Sequence, residues 1–140
     1  MINYQEIGDR YGIKIYKIER GGKLWEENGE EMYLNRSFCA GRDEIWVGVY
    51  DDEDEEVASF FHELGHCISH SFDNLHHSEF RMFHVELDAW MLGLTEAYKH
   101  NYLIKPSTFK FITDCINSYV GYEEREISNF KKDKFSKIDT

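Results

Sequence analysis

Proline is almost missing from this chain of 140 residues: Pro106 stands alone, so no proline-rich linker divides the sequence. Cysteine is sparse. Cys39, Cys67 and Cys115 are odd in number, widely spaced and form no CxxC pair. That excludes a disulfide framework and a thiolate zinc site, and it points to a reducing, cytoplasmic setting. No uncharged apolar run approaches the ~18 residues needed to span a bilayer, so no membrane association is expected. The stretch Met1 to Arg10 lacks the apolar heart of a secretion signal. Basic residues are outnumbered, 16 Lys+Arg against 27 Asp+Glu, for a net charge of −11. They form no stripe that could neutralise phosphates, which argues against direct nucleic-acid binding. Lys131, Lys132, Lys134 and Lys137 alternate with Asp133 and Asp139 and read as a solvated end. Apolar residues are present in quantity, at 41% with 16% aromatic, which rules out a structureless acidic chain. The expectation is a single domain over residues 1–140, with a core of about 2–101 and a helical extension of about 106–135.

The first half carries strand patterns. After a short helix candidate, Ile2 to Tyr11, come β-rich runs at Gly12 to Ile18, Met32 to Phe38 and Glu44 to Tyr50. Gly21–Gly22, Asn28–Gly29 and Gly41 to Asp43 are turn signals. Six consecutive acids, Asp51 to Glu56, then open a helix of about Glu53 to Ser71. Asp51 or Asp52 is its N-cap, and the remaining carboxylates favour the positive end of the helix dipole. A second helix fits about Ser78 to Asn101. A third starts near Pro106–Ser107 with Phe109, Ile112, Ile116 and Tyr119 on one face, and a last short one fits about Glu123 to Lys132. The fold class is therefore α+β, with a small three-stranded sheet and helices following it.

The first long helix contains His62-Glu63-Leu64-Gly65-His66, an HExxH pattern. Residues four apart on a helix lie ~40° apart around the axis and one turn apart along it, so two imidazoles can converge on one Zn²⁺. Glu63 projects beside them and can reach a water on the metal without being a ligand. The bare pattern arises by chance in about one chain of this size and composition in twenty-five, so its context must support it. On a 100° step from Val57, the apolar residues Val57, Phe60, Phe61, Leu64, Cys67 and Ile68 share one side, with Cys67 read as core packing. His62, His66 and Glu63 fall opposite, at about 140°, 180° and 240°. Gly65, flanked by Ala58 and Ser69 around that face, costs roughly 1 kcal/mol relative to Ala inside a helix, which suggests close approach by another backbone.

The third ligand is expected from the second helix. Met82, Phe83, Ala89, Trp90, Gly93 and Ala97 all lie within about 60° of Glu86. A carboxylate amid such a face is buried, and a buried charge must be paired or bind a metal. Asp88 lies about 160° away with His84 and Thr95, facing solvent or supporting a ligand from behind. His76 and His77, in the connection between the helices, are the alternatives to Glu86. His70 is about 12 Å along the axis from His62 and cannot share one ion with both motif histidines. The metzincin pattern is excluded, because Ser69 and Phe72 stand where it requires glycine and a third histidine. Tyr119, Tyr122 and His84 are possible oxyanion donors, with nothing to select among them.

With HELGH at 62–66 and Glu86-Leu87-Asp88-Ala89-Trp90 on the next helix, the chain resembles the glutamate-type zinc peptidases, the gluzincins. In these an HExxH helix precedes a helix with a Glu-x-x-Ala pattern that supplies the third ligand. Trp90 departs from the Asp or Asn frequent at its place. Within that clan the chain is most similar to the small ImmA/IrrE type and its phage-encoded relatives, over roughly Ile2 to Glu96. The resemblance implies a minimal zincin-like fold, with strand 44–50 at the cleft offering a free edge to an extended substrate. It implies a narrow protein substrate of the kind of a transcriptional repressor from a mobile element. The expected activity is zinc-dependent peptide-bond hydrolysis, with His62, His66 and Glu86 on the metal and Glu63 as general base. The alternatives are a catalytically silent interaction protein of the same fold, or an acidic mimic that occupies a DNA-binding partner.

Overall fold

The computed structural model describes residues 2–19, 23–27, 30–33, 36–69 and 82–120. Asn3 caps the first helix, α1 (Tyr4–Asp9), by accepting the Glu6 N–H at 3.1 Å. Five strands follow: β1 (Lys14–Lys17), β2 (Lys23–Glu27), β3 (Glu30–Tyr33), β4 (Phe38–Cys39) and β5 (Glu44–Val47). Then come α2 (Glu53–Ile68) and α3 (Met82–Lys99), and residues 106–120 form helix α4 with Pro106 in its first turn. The class is α+β with four helices among the described residues. None of the described helices is long and apolar enough to cross a membrane.

β1, β5 and β4 make a three-stranded mixed sheet in that order, with β1 parallel and β4 antiparallel to β5. Among the described residues β2 and β3 pair with each other alone, antiparallel. Three expectations are corrected here. The run Met32 to Phe38 is not one strand: β3 ends at Tyr33 and β4 begins at Phe38. Ser37 between them is bonded outside any ladder, its hydroxyl accepting the Gly48 N–H at 2.7 Å and its own N–H donating to the Tyr50 hydroxyl at 3.3 Å. That same Gly48 bond diverts the backbone after Val47 and ends β5 three residues short of Tyr50. Finally, β5 has no free edge. Ile45 faces Ile15 on one side and Cys39 on the other, so the strand is central and the short β4 is at the border.

Side-chain alternation on β5 separates two environments. Ile45 and Val47 are fully buried and pack with Val57, Phe60, Phe61 and Leu64 of α2. Trp46 points the other way, stacked between its cross-strand neighbours Tyr16 and Phe38 at 4.7 and 5.9 Å. Burying Phe60 and Phe61 contributes about 1.5–3 kcal/mol each. A second cluster, Ala58, Trp90 and Ile112 with Leu94, Ile104, Phe111, Cys115, Ile116 and Tyr119, joins α2, α3 and α4. Phe109 is the exception to the face expected for α4. It is 51% exposed, while the other three expected residues, Ile112, Ile116 and Tyr119, do turn inward, with Thr108 and Cys115 beside them. The turn signals at 21–22 and 28–29, the helix at about 123–132, and His70, Phe72, His76, His77 and Tyr122 lie outside the described residues.

Candidate metal centre

Asp52 sets the start of α2. Its carboxylate accepts the Asp54 N–H at 2.8 Å and the Glu55 N–H at 3.4 Å, so it is the N-cap. From that start the helix runs without interruption through His62, Glu63 and His66 to Ile68. The apolar stripe faces the sheet, and the histidine side faces α3.

Two glycines bring α2 and α3 together. A Cβ on Gly65 would stand 1.9 Å from the Ala89 carbonyl oxygen, and one on Gly93 would stand 2.1 Å from that of Phe61. Only glycine permits this backbone-to-backbone approach at either place. The expectation drawn from Gly65 is thus met, and Ala89 is the residue it meets.

The approach carries Glu86 onto the histidines. Glu86 Oε2 lies 2.8 Å from His62 Nε2 and 2.9 Å from His66 Nε2. His62 and His66 are each 6% exposed. One ligand atom from each of the three residues falls within 4.8 Å of the others, a grouping able to hold a metal ion. The set is two imidazole nitrogens and one carboxylate oxygen. That chemistry suits a first-row transition metal, zinc among them, and does not fit calcium or magnesium, which take six or more oxygens.

The electrostatics follow from burial. Removal from water lowers the His62 pKa, against the pull of Glu86. Burial works the same way at His66, but its bond to Glu86 and the nearby Glu63 and Asp88 charges outweigh it, and the pKa is raised. Burial would raise Glu86, yet its bonds to both histidines bring it down to about 2. Glu63 is pushed well above the ordinary carboxylate range, first by burial and then by Cys39 and Glu86 beside it.

Asp88 is occupied elsewhere. It accepts the Ser69 hydroxyl, while Arg42 donates to the Ser69 carbonyl at 2.9 Å, so the three tie the end of α2 to α3 and to the turn before β5. His84 is exposed. Tyr119 reaches the site from α4, its ring nearly parallel to that of His62 at 6.4 Å. Burial raises its phenol pKa, and the Glu86 and Glu63 charges add to that.

Sequence reasoning missed Cys39, which approaches Glu63 from β4, 24 residues earlier in the chain. No local pattern signals that contact. It also missed the stacking of Trp90 on His62, with ring centroids 4.2 Å apart. A helical signal existed there, since Trp90 lies one turn beyond Glu86 on the same face.

This arrangement predicts that Glu86→Gln weakens zinc binding far more than Asp88→Asn does. Glu86 is the oxygen shared by both histidines, whereas Asp88 holds Ser69. Metal retained after dialysis measures the difference, and equal retention or the reverse order would mean that the wrong acid is assigned.

Comparison of the chain with protein-family models, curated proteins and solved structures gave no match.

Proposed function

We propose that this chain is a zinc-dependent metallopeptidase of the minimal gluzincin kind, cleaving a specific protein in the cytoplasm. The observation that supports it most strongly is Glu86 Oε2 within 2.9 Å of both HExxH histidines, delivered from a separate helix. His62, His66 and Glu86 would hold the ion, a set of three protein ligands being the number found at catalytic zinc sites. Zinc supplies Lewis acidity at neutral pH, acidifying a water and polarising a carbonyl.

The chain's own residues do the rest. Glu63 takes the proton of the attacking water on its carboxylate and delivers it to the departing amine nitrogen. Trp90, buried at 2% exposure, and the α4 stripe keep bulk water from the histidine side. Of the two candidates among the described residues we assign Tyr119 as the hydroxyl donor toward the oxyanion, because its ring centroid is 6.4 Å from that of His62 while His84 is turned to solvent. Among the described residues the outer sides of β1 and β4 are the sheet edges an extended substrate could pair with, because both sides of β5 are taken.

The resemblance in HELGH and ExxA makes a transcriptional repressor from a mobile element the substrate to try first. The test incubates the protein with repressors from its genomic neighbourhood and follows fragments by mass spectrometry. Cleavage should stop with a chelator and return with zinc. Fragments that persist unchanged in the chelator would refute a metal-dependent reaction.

A further inference from the structure

Histidines that bind zinc ordinarily donate their second ring nitrogen to a carboxylate, a carbonyl or a water, which fixes the ring. His62 has no such acceptor among the described residues: its Nε2 faces Glu86 at 2.8 Å, and its Nδ1 is buried without a hydrogen-bond partner. The position one turn beyond Glu86, where an acidic or amide side chain would serve, is Trp90.

The indole lies against the imidazole at a centroid distance of 4.2 Å and an interplanar angle of 26°. At that spacing the imidazole cannot turn edge-on without driving its ring atoms into the indole. Trp90 is itself fixed, 2% exposed and packed with Ala58 and Ile112. Its helix is held down one turn later, where a Cβ on Gly93 would meet the Phe61 carbonyl oxygen at 2.1 Å.

We infer that Trp90 is the positioning residue of His62, holding the ring by its flat face where a hydrogen bond would otherwise hold it. The inference rests on the metal centre proposed above. It also accounts for the buried Nδ1: an aromatic wall restrains the ring without supplying an acceptor, so on the Nδ1 side the ring is held by packing, and Nε2 is left to face Glu86.

The experiment compares wild type with Trp90→Leu, which keeps apolar bulk but loses the flat face, and with Trp90→Phe, which keeps a smaller face. Zinc affinity is measured by competition with a chromogenic chelator, and the melting temperature of each metal-free protein reports on the fold. Trp90→Leu should bind zinc about 10- to 100-fold more weakly, the range for losing a ligand's supporting contact. Trp90→Phe should recover most of that loss. A purely structural role would lower both melting temperatures and leave zinc affinity at the wild-type value, which would overturn the inference. A second readout needs no variant. In the wild-type apoprotein the stacked indole should shift the His62 ring protons upfield of those of exposed His84, and their absence from that position would also overturn it. Wild-type protein that takes up no zinc would refute the metal centre itself, an outcome seen before any substitution is made.

Discussion

Replacing Glu63 by Gln should leave zinc content and melting temperature near wild type and reduce peptide cleavage by about 10²-fold or more, the scale of a general base. The side chain keeps its length and a hydrogen-bonding oxygen but can no longer accept a proton. Glu63 is not among the three residues whose ligand atoms converge, so no ligand is lost. Fragments quantified by mass spectrometry, with zinc measured on the same samples, decide it. Equal cleavage by the two proteins would remove Glu63 from the mechanism. Zinc in both with cleavage by neither, across a broad panel, would favour the silent interaction protein. Zinc lost from the variant would make Glu63 a ligand.

The second large effect is expected at Gly65. Substituting alanine for glycine within an exposed helix normally adds about 1 kcal/mol of stability. Here the sign should reverse. The new methyl would stand 1.9 Å from the Ala89 oxygen and 2.7 Å from its carbonyl carbon, and backbone atoms cannot rotate aside as a side-chain tip can. α2 and α3 must part, which costs about 1–3 kcal/mol or more for overpacking and separates Glu86 from His62 and His66. Gly65→Ala should therefore melt about 5–10 °C lower and hold zinc more weakly. A rise in melting temperature would show that the two backbones are not in contact. Gly93→Ala, whose methyl would meet the Phe61 oxygen at 2.1 Å, should behave alike.

These two glycines also mark how far the chain could be read before its structure. The 3.6-residue period was enough to divide α2 into an apolar stripe and a histidine side, and to set Glu86 rather than Asp88 on the inner face of α3. A glycine within the HExxH helix was sufficient to suggest a close neighbour, and Ala89 is that neighbour. A cap at Asp51 or Asp52 was legible because the chemistry of capping is local, and Asp52 is the one that accepts the helix N–H groups.

What escaped was long-range or depended on single hydrogen bonds. β2 carries Lys23, Glu26 and Glu27 and shows no alternation, so only its partner β3 makes it a strand. Nothing local tells that the Ser37 hydroxyl takes the Gly48 N–H, yet that bond separates β4 from β3 and ends β5 early. The central place of β5 is a matter of pairing between segments about 30 residues apart, which the period of neither segment encodes. Phe109 has the same apolar character as its neighbours, and only packing against α2 and α3 decides which residues of α4 turn inward.

Elemental analysis bears most directly on the metal centre. The protein is to be purified without a metal-affinity tag, supplied with zinc and desalted. A single site of three protein ligands predicts about one zinc per chain, retained through desalting. Less than roughly a tenth of an equivalent would contradict the centre built by His62, His66 and Glu86, and with it the hydrolytic activity proposed for this chain.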